Sequence, residues 1–174
     1  MAKNRRTTDL LKGILRRRDE YLENIGEPLA GRFGDFTAKG EARKLADAIV
    51  SGRVPFRFFD VKLMQVGRRD IDWSGKHLAH QEWPAQLNRF FHLAPLSTAW
   101  MAARKACYAE AARDYVEDWL RAHPLLPAWT LSDGDNTLTL SIRQQMWWTN
   151  LPSFFDHPAF DEAFVERLAE STAC

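Results

Sequence analysis

The chain has 174 residues, 45% of them hydrophobic and 27% charged, with a formal net charge of +1. That length suits one compact domain with a real core and falls short of the size at which a second is expected, and the composition is that of a globular protein rather than a disordered tail. A charge so near zero supplies no long-range field to gather a polyanion such as nucleic acid, so any anion site must be local.

Seven tryptophans and eleven phenylalanines are many for this length. Such rings fill cores, and they also form platforms on which flat sugar or base faces stack. Cys107 and Cys174 lie too far apart to imply a disulfide framework or a paired metal motif. The basic start, Met1 to Arg6, is followed by Leu10, Leu11, Ile14 and Leu15 interrupted by Lys12 and Arg16, which is no signal-peptide core. No apolar run approaches the ~20 residues of a membrane span. The expected location is cytoplasmic for the chain as written, and periplasmic or secreted if the true start lies upstream.

In chain order, Thr7-Thr8-Asp9 offers cap residues, and Leu11, Ile14, Leu15, Leu22 and Ile25 recur at helical spacing until Gly26 and Pro28. The Arg16-Arg17-Arg18 run on this helix reads as a solvated face. Gly31, Gly34 and Gly40 mark a loop, and a short helix from Glu41 to Ser51 is closed by Gly52. From Val54 to Trp73 aromatic and β-branched residues come in short runs, which predicts extended chain with one or two strands laid against helices rather than a sheet of its own. A helix begins near Glu82 with Leu87, Phe90, Phe91, Ala94, Thr98 and Met101 on its buried face, and Pro95 should kink it near Phe91.

The cleanest helix follows, because Tyr108, Ala111, Ala112, Tyr115, Val116, Trp119 and Leu120 all fall on one stripe. Arg113, Glu117 and Arg121 are four apart and predict ion pairs on its outer face. So short a connection makes these two helices an antiparallel hairpin. After a loop from Pro124 to Asn136, a helix from Thr137 to Thr149 places Leu138, Ile142 and Met146 on one side and Leu140, Arg143 and Trp147 on another. A last helix, entered at Asp156-His157-Pro158, carries Phe160, Phe164 and Leu168 on one face. Helix after helix suits a bundle or a helical toroid.

Two groupings carry the candidate chemistry. Asn88 and His92 are four apart, with Arg89 beside them: an amide that donates and accepts, a guanidinium that grips a carboxylate or sulfate, and an imidazole that exchanges a proton near neutrality. The trio suits an anionic, hydroxyl-rich ligand, yet spacing alone favours a structural role, with Asn88 bridging backbone, Arg89 paired to Asp72 or Glu82, and His92 in the core. Arg143 and Trp147 are also four apart, a combination that serves either a sugar site or a cation–π brace. Trp73, Trp83 and Trp129 stand at loop or helix-start positions. His77, His80, His123 and His157 lack partners at ligand spacing, so neither a metal nor a cofactor is expected, and no glycine-rich phosphate loop is present.

Asp70-Ile71-Asp72-Trp73, Glu82-Trp83, Gln86-Leu87-Asn88-Arg89, Tyr108-Ala109-Glu110, Trp119 with Pro124, and Asn136-Thr137-Leu138 with Arg143, in this order and spacing, resemble the N-terminal helical domain of the heparinase II/III family of polysaccharide lyases. The resemblance covers roughly Val54 to Leu168. It implies an all-α fold, helical hairpins forming part of an incomplete (α/α) toroid, and a single domain over 1–174: helices and loop in 1–53, an extended segment in 54–81, toroid helices in 82–174. It further implies cleavage of uronic-acid-containing polysaccharides by β-elimination, heparin/heparan-like or alginate-like. On this reading Trp83, Asn88, Arg89, His92, Arg143 and Trp147 contact the sugar or uronate. The family's catalytic groups and β-sandwich are expected beyond Cys174, so the chain alone is expected to be inactive. Pro95, and Thr139 where many members have an acidic residue, depart from the family pattern. A non-catalytic carbohydrate-binding domain and a helical protein-interaction domain are the alternatives, and the sequence does not set the oligomeric state.

Overall fold

The computed structural model describes Gly13 and residues 39–57, 61–124 and 137–172. The helix expected between Leu11 and Ile25, most of the loop after it, and Trp129 lie outside the described residues.

The first described helix, α1 (Lys39–Val50), ends at Gly52, whose φ of +83° closes the last turn. Glycine is required there twice over, since a Cβ would sit 3.0 Å from the Cα of Gly67. The Gly52 carbonyl accepts from the amides of Val66 and Gly67 at 2.9 and 3.0 Å, so the turn also pins the end of the next element.

That element is an antiparallel hairpin of β1 (Arg53–Arg57) and β2 (Val61–Gln65), with Val54 opposite Met64 and Phe56 opposite Lys62. Val54, Phe56 and Met64 point inward, while Val61 and Leu63 are exposed. The expected strands therefore do form a sheet of their own. The expectation of strands laid on helices holds for β1, because the Gln86 side chain accepts from the Arg57 amide at 3.1 Å and donates to its carbonyl at 2.7 Å, standing in for a further strand.

The helix expected from Glu82 is two helices, α2 (Glu82–Asn88) and α3 (Leu93–Ala103). The break is larger than a proline kink. Phe90, at φ +60°, turns the chain, and Pro95 sits in the first turn of α3, where its missing N–H costs nothing. The restart rotates the buried face of α3 to Leu93, Leu96, Ala99 and Trp100, and leaves Met101 exposed.

Arg104 in the left-handed conformation ends α3, and after Lys105 the chain reverses into α4 (Ala106–Ala122), which packs against it. The predicted stripe of α4 is buried, with Leu120 at its edge. Arg113 and Glu117 pair at 2.8 Å as expected. Arg121 does not pair with Glu117; it pairs with Asp118 and Asp70, and Glu117 takes Arg167 instead at 2.6 Å.

On α5 (Thr137–Asn150) the buried side chains are Thr139, Ile142, Arg143, Met146, Trp147 and Asn150, so the two expected sides merge into one stripe and Leu138 is exposed. A 3-10 turn (Leu151–Phe154) leads to α6 (Glu162–Thr172), capped by Asp161, which accepts from the Phe164 amide at 2.8 Å. One hydrophobic core joins the hairpin to all these helices. The chain is thus mostly helical, consistent with part of a helical toroid.

Candidate functional site

The separated pieces singled out in the sequence converge on one cluster. Asn88, the last residue of α2, donates from Nδ2 to the carbonyls of Trp73 (2.8 Å) and Pro84 (2.9 Å) and accepts at Oδ1 from the indole N–H of Trp119 (2.9 Å). Its amide is fully engaged in joining α2, the 70–73 segment and α4. Phe90, just beyond it, stacks on Trp73 with centroids 5.3 Å apart and 17° between planes, and meets Trp147 edge-on at 5.3 Å and Trp119 at 6.4 Å.

Asp118 holds the other side of the 70–73 segment. Its buried carboxylate accepts from the amides of Asp70 (2.7 Å) and Ile71 (3.0 Å) and from the Trp73 indole N–H (3.0 Å), and it pairs with Arg121. This explains the Asp-Ile-Asp-Trp run as a strap clasped by one carboxylate. Asp72, by contrast, faces outward, where the hydroxyl of Ser74 lowers its pKa.

Arg143 is 1% exposed. Its guanidinium lies 4.1 Å over the Trp119 ring and donates from Nη1 to the Asn88 carbonyl at 3.4 Å. On Trp119, His123 also stacks, 4.2 Å away at 13°. Trp147 closes the cluster 5.3 Å from Trp119, at 84°. The Arg143 guanidinium is therefore laid on the Trp119 indole in the interior, where low dielectric strengthens its interaction with that ring face.

Trp83, wholly buried, meets Phe56 at 5.6 Å and His77 at 6.3 Å, both edge-on. It seats the hairpin and the 74–80 loop on α2, and Gly75 permits this, since a Cβ there would lie 2.8 Å from Cγ of Pro84. Arg89 pairs with Glu82 at 3.7 Å. His92 is 1% exposed, and neither ring nitrogen has a hydrogen-bond partner among the described residues. The break at Phe90 takes His92 off the helix that carries Asn88, so the two do not share a helix face.

Of the six candidates, Asn88, His92, Arg143 and Trp147 come together around Phe90 and Trp119, while Trp83 and Arg89 serve α2 itself. All but Arg89 are buried, and Arg89 is mostly so. The physical reason is that their ring faces and apolar surfaces pack into the core, with the Asn88 side chain tying neighbouring segments and the Arg143 guanidinium covering Trp119. Sequence reasoning missed Asp118 as the clasp and Phe90 as the turn. The first was hidden among outward-facing charges, and the second leaves no signal because the left-handed region disfavours a bulky residue.

Outside the cluster, a groove of about 520 Å³ is lined by Arg69, Arg113, Asp114, Glu117, Asp118, Arg121, Ala159 and Asp161. Asp114 is taken by Arg68 and Arg69, Glu117 by Arg113 and Arg167, and Asp118 by Arg121, so its charges balance locally. No group of three or more His, Cys, Asp or Glu side chains is arranged to hold a metal among the described residues. No helix among them is long and apolar enough to cross a membrane.

The α3–α4 hairpin and the helices packed on it are consistent with part of a helical toroid. The model for the heparinase II/III N-terminus matches residues 14–173, and the chain belongs to that family of polysaccharide lyases. The fold is also similar to the crystal structure of heparan sulfate lyase HepC from Pedobacter heparinus, and to that of a mutant of it. Each has a TM-score of 0.72 and 21% identity, covering 94% of this chain and 26% of the other. The chain thus spans about a quarter of the length of these neighbours. No curated protein matches.

Proposed function

We propose that this chain forms the substrate-cleft part of a polysaccharide lyase that cleaves uronic-acid-containing polysaccharides, heparin/heparan-like or alginate-like, by β-elimination. The observation that carries this reading is the match to the heparinase II/III N-terminus along residues 14–173. In such a reaction a side chain neutralises the uronate carboxylate, a base removes the adjacent proton, and an acid protonates the leaving oxygen. This chain's part is binding and support rather than proton transfer. Trp83, Asn88, Arg89, His92, Arg143 and Trp147 remain the residues assigned to the sugar-facing wall, and their burial means that they act mainly by fixing its shape. Arg143 and Trp147, 1% and 0% exposed, brace that wall from behind and do not themselves meet the uronate chain.

Retention on immobilised heparan sulfate and alginate, against a neutral polysaccharide matrix, tests the reading. Selective retention on an anionic matrix that weakens with salt supports it. Equal behaviour on neutral and anionic matrices contradicts it.

A further inference from the structure

The turn between α2 and α3 combines two features that a stable helical domain ordinarily avoids. Phe90, a bulky residue, is held at φ +60°, a conformation that costs free energy and persists only when its surroundings over-determine it. Two residues on, His92 is buried with both ring nitrogens unpartnered among the described residues. The surroundings that hold Phe90 are Trp73, Trp119 and Trp147, together with the His92 ring at 5.0 Å. The His92 ring is faced from α4 by Tyr115 at 4.7 Å. Tyr115 is itself kept protonated by burial and donates its hydroxyl to the Ile49 carbonyl at 3.0 Å. Arg143, the charged group of the cluster on α5, is engaged over Trp119 and with the Asn88 carbonyl.

We propose that the Phe90–His92 turn is an acid-sensitive latch: gaining a proton on His92 releases the turn from the aromatic cluster while α4 and the core stay folded. An imidazolium donates two hydrogen bonds, and this box offers it tilted rings in place of acceptors. Swinging outward hydrates the charge and relaxes the strained backbone of Phe90 in one motion. The neutral imidazole keeps the latch closed. Burial alone lowers the pKa of His92, to about 3 against an ordinary 6.5, so the closed turn disfavours the proton and the open turn accepts it. Linkage then fixes the response: between those two values the open population rises about tenfold for each unit of pH lost.

Backbone amide exchange of the protein, corrected for the intrinsic pH dependence of exchange, reads this directly. The amides of Arg89, Phe90 and Leu93, bonded to the carbonyls of Ala85, Leu87 and Phe90, should lose protection about tenfold per unit as pH falls from 6 to 4, while Ala111 and Ala112 of α4, which exchange only through global unfolding, stay protected to a clearly higher level at each pH. His92→Leu, which retains bulk and cannot charge, should flatten the dependence. The imidazole resonances of His92 in the wild-type protein should show it neutral at pH 5, a readout independent of any variant's folding. Turn amides protected to the same level as those of α4, an unchanged slope in His92→Leu, or a His92 already charged at pH 6 would each overturn the latch.

Discussion

The indole N–H of Trp119 ends on the side-chain oxygen of Asn88, 2.9 Å away and 31 residues back along the chain. The same amide binds the Trp73 carbonyl, so one side chain ties three segments. Asn88→Ala leaves a buried donor and a buried acceptor without partners. The expected cost is about 2–6 kcal/mol, at 1–3 kcal/mol per orphaned group, read as a lower urea midpoint with unchanged m-value. A loss below about 1 kcal/mol would mean that the three segments hold together without it.

Asp118 makes a sharper contrast with its partner Arg121. The carboxylate is buried and accepts three N–H groups, whereas the Arg121 side chain is largely exposed. Asp118→Ala should therefore cost about 3 kcal/mol or more, since the strap amides and the Trp73 indole lose a charged acceptor. Arg121→Ala should shift Tm only slightly, because exposed ion pairs contribute little. Equal shifts in thermal denaturation of the two variants would refute this division of roles.

For stability against pH, the folded pKa of His92 is about 3 and the unfolded one 6.5. A depressed histidine contributes its stability above pH 6.5, where it is neutral in both states, and loses it as pH falls toward 3. Each unit in that window removes up to ~1.4 kcal/mol, so urea denaturation at pH 5 should give about 2 kcal/mol less than at pH 7 from this group. His92→Leu should recover that difference. A wild-type stability flat from pH 7 to 5 would contradict a dry His92.

Gly75→Ala tests the seating of the 74–80 loop. At φ +75° and 2.9 Å from Cα of Pro84, an added methyl meets backbone as well as ring. The loop must lift, at about 1–3 kcal/mol, and Trp83 should then emit as a more hydrated indole. Unaltered emission and midpoint would show that the loop is not clamped there.

Much of this arrangement is legible in the sequence because burial and helical period coincide. The α4 stripe from Tyr108 to Trp119 survives intact in the structure, and so does its Arg113–Glu117 pair. The break at Phe90 is legible only in its place: Pro95 predicts a kink near Phe91, one residue away, while the left-handed turn itself comes from packing against Trp73, Trp119 and Trp147, which overrides local propensity. Lying i and i+4, Asn88 and His92 predicted a shared face; a single left-handed residue between them removed it. Spacing places Arg143 and Trp147 on one face, and both meet Trp119, which comes from a distant helix that no periodicity connects to them.

The most direct measurement is ultraviolet absorbance of unsaturated uronate ends during incubation with heparan sulfate, heparin or alginate, made on the polypeptide of the complete reading frame that contains these 174 residues. Steadily rising absorbance on at least one of these polymers, lost when residues 14–173 are removed, is the predicted result. A flat trace on every uronate polymer, from a folded polypeptide, would contradict the lyase reading.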